Sequence, residues 1–80
     1  MEDLRKKYAE KLNEMRINYA GAIIAISKKY DKDLGVAFEM LKAIARGNTE
    51  YGEGIEVDVE ALKKDYAELT DISIQIAEGV

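Results

Sequence analysis

Apolar residues recur at helical intervals along the first part of the chain and predict one long amphipathic helix. The stripe consists of Leu4, Tyr8, Leu12, Met15 and Tyr19. Its intervals of four, four, three and four residues keep these side chains on one face of a helix. From Ile17 to Ser27 no residue is charged. The pattern therefore predicts a helix over about residues 2–30, about 43 Å long at 1.5 Å per residue.

Gly21 is the one helix-breaking residue within that span. A glycine in a helix interior costs about 1 kcal/mol relative to alanine. Its presence indicates that another backbone approaches closely at this point. Gly21 also belongs to a nearly smooth face. We predict an oligomer interface on that face, made of Asn18, Tyr19, Gly21, Ala22, Ala25 and Ile26.

A second, shorter helix is predicted over about residues 33–46. Asp31 or Asp33 provides an N-terminal cap, and Gly47 provides the C-terminal stop. Only Glu39, Lys42 and Arg46 are charged between residues 34 and 46. Such a helix leaves a narrow polar stripe, so we expect most of its surface to lie in the core.

The third predicted helix covers about residues 58–78. Asp58 is a natural N-cap, and Val57 and Leu62 occupy the positions of a hydrophobic staple. Residues 55–59 and 72–76 alternate between apolar and polar side chains, which is a strand signal. No Gly, Pro or Asn interrupts residues 59–78, so the helix is the preferred interpretation. The prediction is an all-α fold, a three-helix bundle forming a single domain over residues 1–80.

The segment between the second and third helices is rich in glycine and acidic residues. It is longer than most helix–helix connections. We predict a partner-contact loop formed by Glu50, Tyr51, Glu53 and Glu56, with Tyr51 at its tip. The alternative is a solvated connector without a binding role.

The composition excludes several kinds of chemistry. The chain of 80 residues contains no cysteine and no histidine, which removes disulfides, the usual zinc sites and catalysis by Ser-His or Cys-His pairs. No phosphate-binding glycine motif is present, and the paired carboxylates look like surface and cap residues. We therefore expect no enzyme activity, no cofactor and no metal.

Charge is divided unevenly along the chain. Residues 1–46 hold ten lysines and arginines against seven acids, whereas residues 47–80 hold two lysines against nine acids. Such a division can accompany nucleic-acid binding. Here the basic residues are mixed with acids and no helix carries a basic recognition face. We expect no nucleic-acid partner and prefer packing between the two halves, in one chain or between copies.

The basic residues before the apolar segment resemble the start of a signal peptide. Acidic residues are interspersed with them, and the apolar segment of ten or eleven residues is too short to span a bilayer. A core helix is the better interpretation. We expect no membrane partner and a cytoplasmic location.

A helix this long and apolar is not easily covered by the rest of an 80-residue chain. The sequence therefore favours a small acidic protein–protein interaction module (adaptor, regulator or inhibitor), working as a homodimer of six helices and able to bind a protein with a basic surface. One alternative is a helical bundle that holds a small apolar ligand between its tyrosines, Met15 and Met40. Another is a designed scaffold without a natural function, which the missing Cys, His, Pro and Trp would fit.

Overall fold

The computed structural model describes residues 2–79 and contains four α-helices. They are α1 (Glu2–Asn18), α2 (Ala20–Tyr30), α3 (Leu34–Ala45) and α4 (Val59–Glu78), with a short 3-10 helix at Thr49–Gly52 between α3 and α4. The all-α class is confirmed. Within residues 2–79 no strand forms: residues 72–76 lie inside α4, and residues 55–58 belong to the connection before it.

The predicted helix over residues 2–30 is wrong in one respect, because it is divided at Tyr19 into α1 and α2. The backbone angles of Tyr19 are φ −113° and ψ 21°, outside the helical range. Tyr19 itself still makes two helical hydrogen bonds, from its N–H to Met15 O and from Ile23 N–H to its carbonyl oxygen, each at 2.9 Å. We call α1 and α2 together, with the kink at Tyr19 between them, the kinked rod. The division raises the helix count from three to four.

The predicted helix ends are present, with boundaries one residue inside the predicted ones for α3. Asp33 caps α3 by accepting a 2.8 Å hydrogen bond from Val36 N–H, and Asp58 caps α4 by accepting one of 3.1 Å from Ala61 N–H. Gly47 terminates α3 with φ 109°. Asn48 N–H bonds back to Ala43 O at 3.0 Å, which completes the Schellman pattern.

The core lies where all four helices meet. Its fully buried large side chains are Met15, Ile26, Leu41, Ile44 and Leu62. α4 packs along α1, and α3 packs along α2 and against the 3-10 helix. The molecule measures 40 × 21 × 17 Å, so it is thin enough for the kinked rod to keep one side in solvent along much of its length.

Candidate functional site

A cluster of charged side chains joins α1 to α4. Lys11 is 9% exposed, and its ammonium nitrogen lies 2.9 Å from Asp65 and 2.7 Å from Glu68. Glu14 is further away, at 3.5 Å. The hydroxyl of Tyr19 donates a 2.5 Å hydrogen bond to the other carboxylate oxygen of Asp65. The Asp65 carboxylate therefore accepts hydrogen bonds from two residues of the kinked rod.

The contacts of the cluster move the pKa values of Lys11, Tyr19 and Asp65 further from neutral pH. Burial lowers the pKa of Lys11, but the hydrogen bonds to Glu68 and Asp65 outweigh burial and raise it. Burial and the hydrogen bond to Asp65 raise the pKa of Tyr19. Burial raises the pKa of Asp65, but the hydrogen bonds from Tyr19 and Lys11 lower it overall. A general acid or base needs a pKa near the working pH, so this arrangement favours a structural role.

This cluster was not predicted from the sequence. The signal was present in the spacing, because Lys11 lies three residues after Tyr8 and four before Met15. It therefore shares a helix face with the apolar stripe. Asp65 is likewise in phase with Leu62 and Leu69 on α4. A cation on one core face and an acid on another predict a buried ion pair when the two faces meet.

A second feature is an open cleft of about 770 Å³ beside α2. It is lined by Asn18, Tyr19, Gly21, Ala22, Ala25, Glu56, Val57 and Asp58. Five of these belong to the predicted oligomer interface and one, Glu56, belongs to the predicted contact loop. The connection before α4 thus runs beside α2, and it brings acidic side chains to a wall of small residues.

The predicted interface residues divide into two groups. Tyr19, Ala22 and Ile26 are buried in the core of the chain itself. Asn18 and Gly21 are exposed, and Ala25 is half-buried. Ile26 is fully buried and cannot contact another molecule in this conformation, so the accessible part of the predicted interface is smaller than proposed.

Gly21 has no close neighbour that would require a glycine. A Cβ atom placed on it would meet nothing within 4 Å among the described residues. The helix therefore bears the propensity cost of this glycine without an intrachain contact that depends on it. A close contact with another molecule would give the glycine a packing reason.

The predicted contact loop is anchored on its inner side. The ring of Tyr51 packs edge-on against Tyr30, with ring centres 5.9 Å apart, and Tyr51 is half-buried. The prediction that Tyr51 stands at the tip is therefore wrong. Lys29 donates a hydrogen bond to the carbonyl oxygen of Glu53. The side chains of the three acids, Glu50, Glu53 and Glu56, remain exposed.

An apolar groove of about 230 Å³ lies between α2 and α3. It is lined by Arg16, Ala20, Ile23, Ile24, Leu34, Gly35 and Phe38. The Arg16 guanidinium sits 5.0 Å from the centre of the Phe38 ring, a cation–π distance. None of these lining residues is a tyrosine or a methionine, and Met15 is fully buried in the core. The ligand cavity predicted from tyrosines, Met15 and Met40 is not this groove.

Comparison of the chain with protein-family models, with curated proteins and with solved structures finds no match. Across residues 2–79, no helix has both the length and the apolar character needed to cross a membrane. In the same part of the chain, no group of three or more acidic side chains is arranged to hold a metal ion. The cleft, the groove and the exposed helix surface are therefore the candidate sites of function.

Proposed function

We propose that this chain is a small protein–protein interaction module that works as a homodimer and binds a basic partner protein through the cleft beside α2. The observation that carries the proposal is the meeting of two predicted contact regions in one cleft. The small residues Gly21 and Ala25 of α2 line the same cleft as the acidic Glu56 and Asp58 of the connection before α4. A cytoplasmic location is part of the proposal, since the chain has no cysteine to place in an oxidising compartment.

The shape of the cleft suits a protein segment. Small residues on a helix allow a partner backbone to approach, and an acidic rim attracts a segment that carries lysine or arginine. The loop acids Glu50 and Glu53 extend the same negative charge beyond the cleft. We therefore expect the partner to present an amphipathic helix or an extended segment with basic residues along one edge.

Affinity capture with the wild-type chain and two variants tests the proposal. Glu56→Lys reverses a charge in the cleft, whereas Glu78→Lys makes the same change near the end of α4, where the side chain is also exposed. The expected result is a stoichiometric protein partner that the wild type and Glu78→Lys retain and Glu56→Lys loses. The purified partner should then bind the purified wild type and Glu78→Lys with similar affinity, and it should bind Glu56→Lys more weakly. Equal binding by both variants would reject the cleft as the binding site.

The groove between α2 and α3 supports a second candidate function, the binding of a small ligand. Its apolar lining and the single guanidinium of Arg16 fit a small aromatic or aliphatic carboxylate. Native mass spectrometry of the chain purified from cells would detect a retained compound, and Arg16→Met should lose it. A spectrum with only the 9.0 kDa chain would reject this candidate and leave the cleft proposal intact.

A further inference from the structure

One side of the kinked rod faces away from the core and carries an exposed stripe. Its members are Glu14, Ile17, Gly21, Ile24 and Lys28, all exposed, and we call this set the outer stripe. Ile17 is 68% exposed and Ile24 is 46% exposed. Large apolar side chains on the solvent side of a helix increase the apolar area in water, and burial of that area favours association.

The spacing of the outer stripe is that of a helix–helix seam. Its intervals are three, four, three and four residues, the repeat that keeps side chains facing a partner helix in coiled-coil packing. Gly21 is at the centre, and the half-buried Ala25 and exposed Ala20 lie on either side of the stripe. Two helices can therefore approach closely where these small residues meet.

We propose that the outer stripe binds the same stripe of a second copy in antiparallel orientation, with the two-fold axis passing beside Gly21. This inference rests on the proposed function, and it names the orientation and the contacts of the homodimer. Ile17 is four residues before Gly21 and Ile24 is three residues after it. In the antiparallel pair, Ile17 of each copy therefore lies within one residue, about 1.5 Å along the helix axis, of Ile24 of the other copy. Both large exposed side chains thus become buried by the same contact, as an isologous interface requires.

The charges at the two ends of the stripe select the antiparallel orientation. Glu14 is seven residues before Gly21, and Lys28 is seven residues after it. An antiparallel pair therefore places Glu14 opposite Lys28 of the second copy, twice by symmetry. A parallel pair would place Glu14 opposite Glu14 and Lys28 opposite Lys28, which is unfavourable. The stripe is complementary to itself in one orientation only.

The size of the contact sets the expected strength of the dimer. A seam along one helix pair buries less than the roughly 1,600 Å² of a standard protein–protein interface. The dimer should therefore dissociate on dilution. Sedimentation equilibrium should give a mass of 9.0 kDa for the dilute chain, and about twice that mass when the concentration rises from about 1 to about 100 μM.

Charge reversal tests the orientation. Glu14→Lys and Lys28→Glu should each weaken dimerisation about tenfold, because an attractive pair becomes a repulsive one at both ends of the seam. The double variant should recover the wild-type dissociation constant within about threefold, since opposite charges meet again. Glu78→Lys and Lys63→Glu, which change exposed residues of α4, are the charge-matched controls and should dimerise like the wild type.

Folding and association are separated by two further measurements. Glu14 lies 3.5 Å from Lys11, so thermal unfolding is recorded for every variant at a concentration where all are monomeric. Among the described residues, Ile17 is the most exposed large apolar side chain. Ile17→Glu should therefore abolish dimerisation and leave the monomer folded.

A wild-type chain that remains monomeric at about 100 μM, or a double variant that does not recover dimerisation, overturns the proposed dimer. Retained capture of a basic partner by a monomeric wild type would still support the cleft function.

Discussion

Tyr19, the residue at which the N-terminal rod bends, donates its hydroxyl to Asp65 of α4 at 2.5 Å. The kink and the last helix are therefore connected directly. Asp65 also accepts a hydrogen bond from Lys11 at 2.9 Å, so one carboxylate of α4 is bonded both to α1 and to the kink.

Tyr19→Phe should destabilise the protein by about 2 kcal/mol, because it removes a hydrogen bond to a charged group and keeps the ring in place. Urea unfolding followed by circular dichroism measures the change. Tyr8→Phe is the control, since Tyr8 is only half-buried and is expected to change stability by less than about 0.5 kcal/mol. Equal losses in the two variants would contradict the role assigned to the Tyr19 hydroxyl.

Lys11→Met should destabilise the protein by about 1–3 kcal/mol. Methionine preserves most of the buried aliphatic stem, so the loss reports the ammonium group and its bonds to Asp65 and Glu68. The matched control is Lys7→Met on the exposed side of the same helix, expected within about 0.5 kcal/mol of the wild type. If Lys11→Met were as stable as Lys7→Met, the cluster would not contribute to stability.

Stability should fall at both extremes of pH. The pKa of Asp65 is lowered in the folded state from its usual 3.8, so its contribution is complete above that value and is lost as the pH falls further. The pKa values of Lys11 and Tyr19 are raised from 10.5 and 10.0. Their contributions are complete below those values and are lost as the pH rises beyond them.

Unfolding free energies measured across the pH range check both limbs. Asp65→Asn should flatten part of the acid limb, and Tyr19→Phe should flatten part of the alkaline limb. The difference between the ultraviolet titrations of the wild type and Tyr19→Phe isolates the Tyr19 phenol, which should ionise above 10.0. Ionisation of this phenol at or below that pH would contradict the hydrogen bond to Asp65.

Two glycine substitutions should have opposite effects. Gly21→Ala should stabilise the monomer by about 0.5–1 kcal/mol, because alanine favours the helix. The added Cβ atom would have no described residue packed against it within 4 Å. Gly47→Ala should destabilise by about 1 kcal/mol, because alanine is strained at φ 109°. Thermal unfolding of dilute protein compares them, and a destabilised Gly21→Ala monomer would mean that Gly21 has an intrachain role.

The helices and their ends could be predicted because the determinants are local. The caps at Asp33 and Asp58 and the stop at Gly47 each depend on a few neighbouring residues. The alternating residues 72–76 stayed helical because nothing in 59–78 interrupts the helical phase. For these elements the spacing of apolar residues and the position of the capping residues were sufficient.

The kink at Tyr19 could not be predicted from the local pattern. The spacing places Lys11 and Asp65 on core faces, but it does not determine that these two residues meet. Tyr19 is not a helix breaker, and its bend accompanies a bond to a residue 46 positions away. Lys11 reaches Asp65 across 54 positions. Both contacts depend on how α4 aligns with α1, which the sequence pattern does not fix. The same limit applies to the contact loop, because the contact between the rings of Tyr51 and Tyr30 joins the loop to α2 and local spacing does not predict it.

The packing of α4 along α1 has a consequence for the order in which the chain acquires its structure during synthesis. α1 leaves the ribosome before α4, but its core side is completed by α4. Met15 and the apolar side of Tyr19 therefore remain uncovered by Leu62 and Leu69 until α4 has emerged. Exposed apolar surface on a nascent chain favours aggregation and chaperone binding, so the interval between the emergence of α1 and the emergence of α4 is the one in which this domain most needs protection.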